Sequence, residues 1–594
     1  MSSKSYGLEA APSAGETEVS SSVGSPGKQG ELERVVGLGR GSGLSGFCGK
    51  MSEMSWVQRA FEYLLNGPAD WRIPSYFTDE IDILAVNEDY VDPSHWPPLE
   101  AVEILTEAYF NASQAAFPFV IRERFLEQVL TFQTRGTSTW WSKRSWLALA
   151  NVIWATSARW LQVAELAEVV DPNIHLLYYA RARVLGLDHR VIIDHPTITQ
   201  IQGLGVLSLY LLTNGSITRA SNVLAQAIRH ATALGLHLHV SDPDVSEADI
   251  LERAWTWSSL YSLEVLVAEI TGLPKSINLS ERIFLGHYDT EVQSSDIQLD
   301  QSVENFILET RRTWLTYLST GRVTSQDTLS GLASAETGYM PKHLPSFYFE
   351  QRLQLCLISD RIGRELYNDS PPSTWVEIQR RIAALEVELR SWAETFIHDD
   401  DPIDQAPSSI DVTLRLNLTM YYHSLQMILH RPCLCEIVIA SESQESQEFN
   451  QNSARACNGG ALSLLADLPD TGTGQEVCQH LPWWNLLHYL VQAAAVLLLE
   501  LCLEGQHCEG QVEEISRSLR KAMAYIAHIA TSGLSAYRVW RTFRHLLFGL
   551  SFKYSSIELQ NIPTEIAQPF RWSEENESDL RSMLASTGRD LPNS

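Results

Sequence analysis

The chain is 594 residues long, 44% hydrophobic and 20% charged, and its 44 Lys and Arg against 72 Asp and Glu leave a net charge of −28. This composition suits a folded globular protein and excludes wholesale disorder and a coiled-coil fibre. A chain this acidic repels phosphate backbones, so these residues supply little of the basic grip that nucleic-acid binding needs.

The first 50 residues hold 11 Gly and 10 Ser with balanced charge. Such a segment buries too little apolar surface to offset chain entropy, and residues 1–50 are expected to be disordered. Gly41-Ser-Gly-Leu-Ser-Gly46 fits G-x-G-x-x-G, but no strand precedes it and no βαβ unit surrounds it, so it reads as linker. Residues 51–97 read as a short helix, Trp56 to Leu65, stopped by Asn66-Gly67-Pro68, and then an ordered loop. From residue 98 helical periodicity dominates. Leu99 to Ala112, Val120 to Phe132, Trp146 to Leu161 and Ile174 to Leu185 each place apolar residues three and four apart, and Gly186 ends the last. Thr199 to Leu212 is apolar on several faces. The next helix, from about Arg219, carries Val223, Leu224, Ala227, Ile228, Ala231 and Leu234 on one stripe, and Gly235 closes it. Ser246 followed by Asp249 is an N-cap signal for a helix buried nearly all round, which Gly272 and Pro274 end. Residues 397–409 are acidic and Pro-rich, and residues 441–459 are almost wholly polar. Both read as loops. Leu414 to His430, Trp483 to Leu503 and Val512 to Ala530 are further helices. Residues 572–594 form an acidic tail. The fold class is therefore all-α, with one large domain over 98–571 behind the disordered segment.

The eight cysteines are scattered and include no C-x-x-C pair, which argues against a disulfide scaffold, a zinc ribbon and a thioredoxin-type site. No apolar signal core follows Met1, and a reducing, intracellular setting is expected. The apolar stretch 483–503 carries Asn485, His488, Gln492 and Glu500, which suits a buried helix better than a membrane span.

Residues 197–277 are the most informative. The strings Ala227-Ile-Arg-His-Ala-Thr-Ala-Leu-Gly-Leu-His237, Glu252-Arg-Ala-Trp-Thr-Trp257, Leu260-Tyr261 and Gly272-Leu-Pro274-Lys-Ser-Ile277 resemble the fungal-specific transcription factor domain, the regulatory middle region of zinc-cluster transcription factors. Tyr109-Phe110, Phe117-Pro118 and Thr199-Gln-Ile-Gln202 resemble the family's upstream elements. Leu429-His-Arg-Pro432 and Trp483-Trp-Asn-Leu-Leu-His-Tyr-Leu490 resemble its C-terminal helices. The likeness spans roughly residues 95–560. Its motif positions are Leu234, Gly235, Leu236, His237, Glu252, Arg253, Trp255, Trp257, Tyr261, Gly272 and Pro274, to which a structural role is assigned. Glu264 stands where the family usually has Asp, and Leu273 where it has Arg; both changes preserve the helix and its cap. The family's zinc-cluster module needs six closely spaced cysteines, and Cys48 alone precedes residue 356.

The resemblance implies transcriptional regulation in the nucleus by a homo- or heterodimer that meets the transcription machinery and reaches DNA only through a separate module or a partner. A small-molecule effector is a further candidate, with Trp255, Trp257, Tyr261, Trp483 and Trp484 as candidate lining, although helix-packing core is the plainer role for these rings. No catalytic residue, cofactor, metal or membrane contact is assigned. An alternative is an all-α terpenoid-synthase-like enzyme using Asp400, Asp401 and Asp404 with magnesium. It is weakened by Pro402 inside the motif and by a poor second motif, Asn368-Asp369…Glu377. A second alternative is a corepressor without zinc that pairs with a full family member. His237 with His239, Cys433 with Cys435, and His507 with Cys508 are possible ligand or redox pairs lacking further partners at suitable spacing, and ordinary structural roles suit them better. No P-loop, G-x-S-x-G or H-E-x-x-H occurs.

Overall fold

A computed structural model of the chain describes residues 34–36, 46–49, most of 51–60, 91–135, 143–187 (less 165 and 167–173), 195–277 (less 241 and 243), 300–320, 344–367, 374–396, 412–434, 443–469 and 483–553 (less 532). Helices α1 to α8 are Leu99–Ala112, Arg122–Arg135, Arg144–Val163, Ile174–Val184, Ile198–Thr213, Ile217–Ala233, Glu247–Thr271 and Gln301–Thr320. Helices α9 to α15 are Leu344–Ile362, Trp375–Phe396, Val412–His430, Gln444–Ala466, Leu486–Cys502, Val512–Ala530 and Leu534–Lys553. A single π-helical turn, Gly363–Tyr367, extends α9. The all-α expectation agrees with this architecture. Two three-residue strands, β1 (Arg34–Val36) and β2 (Gly46–Cys48), pair antiparallel with Val35 opposite Phe47.

Local chemistry explains the ends of the central helices. Thr197 and Gln200 close a full capping box on α5. At the end of α6, Leu236 N–H returns to Ala231 O and Gly235 N–H to Thr232 O, while Gly235 takes φ +66°, a left-handed value that costs glycine little. Ser246 Oγ accepts the Asp249 N–H to open α7, and Gly272 at φ +69° closes it.

The helices pack as two sets. In the first, α1, α3, α4, α5 and α6 lie on one another, and α8 returns against α1 and α2. In the second, α11 to α15 pack in turn, with α9 and α10 against α11. Helix α7 bridges them, meeting α5 and α6 on one side and α9 on the other. One continuous cluster of buried apolar side chains runs through both sets, from Met51 to Leu550.

Two sequence expectations need correction. Residues 441–459 are not a loop, because α12 covers Gln444–Ala466. Ser443 caps it, and its buried stripe consists largely of small or polar residues: Ser453, Ala454, Cys457, Asn458, Gly460 and Ala461, ahead of Leu464 and Leu465. Such a stripe has almost no apolar signature, yet it allows close approach to α11, where a Cβ on Gly460 would stand 3.1 Å from His423 O. The segment 1–50 is not uniformly without structure: β1, β2 and Gly49 lie inside it. Loop 397–409 and tail 572–594 fall outside the described residues. So does most of the helix expected from Trp56 to Leu65, although residues 53, 55–57 and 60 are helical.

Candidate functional site

The family-like positions gather along α7 and the joint that feeds it. Leu234 ends α6, and its carbonyl, which the helix leaves without an internal partner, accepts a hydrogen bond from Arg253 Nη2 at 2.8 Å. Leu236 is buried beneath this joint. The His237 ring stands 5.7 Å from that of Trp257, and its Nδ1 has no hydrogen-bond partner among the described residues. His239 points elsewhere, with Nδ1 2.8 Å from Val240 O, so the two histidines of the H-x-H pattern do not converge. Trp257 and Tyr261 are buried, whereas Trp255 is half-buried.

The first turns of α7 carry an ion-pair cluster. Arg124 of α2 donates to Asp249 at 2.7 Å and to Glu252 at 2.6 Å. Glu252 also accepts from Gln202 of α5 at 2.9 Å, so one carboxylate ties three helices together. The Ser246 hydroxyl and then Arg124 hold the Asp249 carboxyl below its usual range.

The second half of α7 carries a buried polar cluster. Glu264 accepts from the backbone N–H of Ser276 at 2.7 Å and of Ile277 at 3.0 Å, pinning the chain as it leaves Pro274. Burial pushes its carboxyl up, against those two bonds. Glu269, almost wholly buried, accepts from Tyr421 of α11 at 2.8 Å and from Ser359 of α9. Burial raises its carboxyl too, with Ser359, His488, Tyr421 and Arg352 pulling the other way. Arg352 of α9 donates to Ser262 at 3.1 Å and lies over the rings of Phe117 and Tyr421, 5.1 Å and 5.3 Å from their centroids. Tyr261 donates to Cys356 O at 3.4 Å. Lys275 pairs with Asp360, which also meets Arg364 at 3.1 Å. Burial lowers the Lys275 ammonium to about 8.

This arrangement joins helices. It does not resemble an exposed reaction centre. Burial pushes the Cys356 thiol up, so it stays protonated rather than nucleophilic. Glu264 accepts backbone N–H groups with both oxygens, and Glu269 accepts from Ser359 and Tyr421 with Oε1, its Oε2 being buried without a hydrogen-bond partner among the described residues. Among the described residues no group of three or more His, Cys, Asp or Glu is placed to hold a metal ion, and no helix is long and apolar enough to cross a membrane.

The other candidates separate. Asp400, Asp401 and Asp404 lie outside the described residues, as do Asn368, Asp369 and Cys435. Glu377 is paired with Arg381 one turn along α10. Cys433 is buried beside Asn450. His507 Nδ1 sits 2.8 Å from Glu500 Oε2, while the His507 and Cys508 N–H groups both donate to Glu500 Oε1, closing the turn after α13. Of the candidate effector-lining rings, Trp484 stands edge-on to Phe117 at 5.7 Å, and through Phe117 it joins the Arg352 cluster. Trp483 and Trp484 are buried, and neither indole N–H has a partner among the described residues. Sequence reasoning missed Arg352, Glu269 and Tyr421. They sit inside apolar helices without a local motif, and buried charge at such positions was the only signal.

Residues 106–394 match the model of the fungal specific transcription factor domain. The chain is 26% identical over 562 residues to the "Transcription regulator galc" of Aspergillus niger, covering 84% of this chain and 66% of that protein. It is 22% identical over 465 residues to the "Transcription factor FBD3" of Fusarium pseudograminearum, covering 73% of this chain and 54% of the relative. It is also 23% identical over 349 residues to the "Transcription factor sphG" of Aspergillus fumigatus, covering 56% and 44%. The chain thus spans about two thirds of the first relative's length and about half or less of the other two.

Proposed function

We propose that this chain, which carries a fungal specific transcription factor domain over residues 106–394, is a fungal transcription regulator acting through that domain. The observation that carries the reading is the match itself. It runs from α1 to α10 and so takes in all of α7, where the family-like residues meet the buried cluster that joins the two helix sets. The reading places the chain in the nucleus, as a homo- or heterodimer in contact with the transcription machinery. It assigns DNA contact to a separate module or a partner, since the 594 residues contain no run of six closely spaced cysteines and carry a charge of −28. It assigns no catalytic step and no cofactor. A small-molecule effector would act by favouring one arrangement of the two helix sets over another, which requires differential affinity for the two.

The test is a fusion of the whole chain to an unrelated DNA-binding domain, assayed on a reporter carrying that domain's sites in a fungal host. Reporter output should change relative to the DNA-binding domain alone, and a fusion bearing Trp257→Ala should lose the effect. A full-length, nuclear fusion that leaves the reporter unchanged would remove the reading.

A further inference from the structure

Helix α10 leaves one face to solvent, and that face is complementary to itself. We propose that two copies of this chain dock antiparallel through α10, with the two Val387 side chains meeting on the two-fold axis and Arg380 pairing with the partner's Glu394 at each end. The inference rests on the homodimer part of the reading above and gives it an interface; the transcriptional part is tested separately by the reporter.

Helix α10 buries Ile378, Ile382, Leu385, Leu389, Trp392 and Phe396 in the second helix set. Its other side carries Arg380, Ala383, Val387, Ser391 and Glu394, all exposed. At about 100° per residue these lie within about 40° of the Val387 direction, in a narrow stripe about 21 Å long. Val387 is 70% exposed, more than any other large apolar side chain among the described residues. One exposed valine is ordinary surface, and at a solvated helix position Val is a poorer helix former than Ala or Glu. The charges around it give it meaning. Arg380 and Glu394 form no ion pair with another described residue. Their charged neighbours are already used: Arg390 with Glu386 at 2.6 Å, Arg381 with Glu377 at 2.7 Å, and Glu388 with Arg361 of α9.

The spacing is symmetric about one residue. Arg380 stands seven residues before Val387 and Glu394 seven after it. Seven residues are close to two turns, so a two-fold axis through Val387 sets Arg380 opposite the partner's Glu394 at both ends. Four residues out, Ala383 faces the partner's Ser391, and side chains this small let the two helices approach closely. Three residues out, Arg390 faces the partner's Ala384, so no like charges oppose each other along the stripe. A parallel pair would instead set arginine against arginine and glutamate against glutamate, so the charges also select the direction. Symmetry of this kind is what an isologous contact between copies requires and what a foreign peptide does not.

Sedimentation equilibrium of the whole chain at physiological salt tests the interface. A single helix stripe is a small contact, so the unaltered chain should pass from monomer to dimer as concentration rises through about 1–100 µM. Val387→Glu places two like charges on the axis and should weaken the dimer at least about tenfold. Arg380→Glu and Glu394→Arg, each alone, set like charges at both ends and should weaken self-association about tenfold. An equimolar mixture of those two variants should recover the dimer to within about threefold of the unaltered chain, because every pair across the axis is again opposite in sign. All three positions are exposed, so each variant should keep the parent's helical spectrum. A dimer indifferent to all three substitutions would overturn the α10 interface and leave a homodimer through another face. Single-charge variants that stay monomeric when mixed would overturn the pairing of Arg380 with Glu394. A chain that remains monomeric up to about 100 µM would overturn the interface and the homodimer reading together, with the reporter result unaffected.

Discussion

Charged residues gather at both ends of α7 and are used differently there. Near its start, Arg124, Asp249 and Glu252 form ion pairs whose Asp249 side chain is half exposed. Near its end, Glu264, Glu269, Arg352 and Asp360 are buried among tyrosines and serines from α9 and α11, with Lys275 partly buried beside Asp360. Exposed pairs are screened by water and contribute little. A buried charge that loses its partner keeps the full cost of having left water. The first cluster therefore trims the fold, whereas the second decides whether the two helix sets stay together.

The largest test of that contrast is Arg352→Ala. It removes the Ser262 hydrogen bond and both ring contacts at once and takes one positive neighbour from Glu269, so chemical denaturation should show a loss of about 3–5 kcal/mol. A loss under about 1 kcal/mol would place the cluster with ordinary surface pairs. Trp257→Ala, midway along α7, should cost a similar ~3–5 kcal/mol by leaving a cavity beside His237, measured the same way. Gly235→Ala forces a side chain into φ +66° at the α6–α7 joint. A drop of about 1–2 kcal/mol is expected, visible as a lower melting temperature with an unchanged helical spectrum. Asp249→Asn at the exposed end should cost less than about 1 kcal/mol, and less still in high salt.

The finest test is the sign of the pH dependence. The folded state raises the Glu269 carboxyl, so in the window above the ordinary glutamate range it binds more protons than the unfolded chain. Its contribution to stability therefore falls as pH rises through that window. Glu269→Gln removes this slope, and the variant's melting temperature should gain on the parent's between about pH 5 and about pH 7. Asp249 has the opposite sign. Its carboxyl is lowered, so its contribution is present above the ordinary aspartate range and is lost as pH falls through it. A difference between Asp249→Asn and the parent that grows as the solution is acidified would reverse the assignment.

Most helices were legible because their signals are local. Leu99–Ala112 and Val512–Ala530 carry apolar residues at helical spacing over their whole observed length. Gly235, Ser246 and Gly272 mark ends through conformations or hydrogen bonds that involve a few neighbouring residues. Helix α12 escaped because Gly460, Ala461 and Asn458 bury small or polar surface, which has no apolar period even though it packs closely on α11. The family-like residues of α7 were visible as a string, but their work was not. Trp257 meeting His237, or Glu252 reaching both Arg124 and Gln202, follows only from the packing of α2, α5 and α6 against α7.

By itself, the sequence determined the helical class, the order of the main helices and the caps on α6 and α7, since each depends on interactions within a turn or two of chain. Only the tertiary structure decided that Glu269 would face Tyr421 across 152 residues, that Arg352 would lie between Phe117 and Tyr421, and that Trp56 would sit under Arg431. A buried charge or a docked segment is stable only when distant groups arrive together, and no local pattern carries the identity of a partner hundreds of residues away.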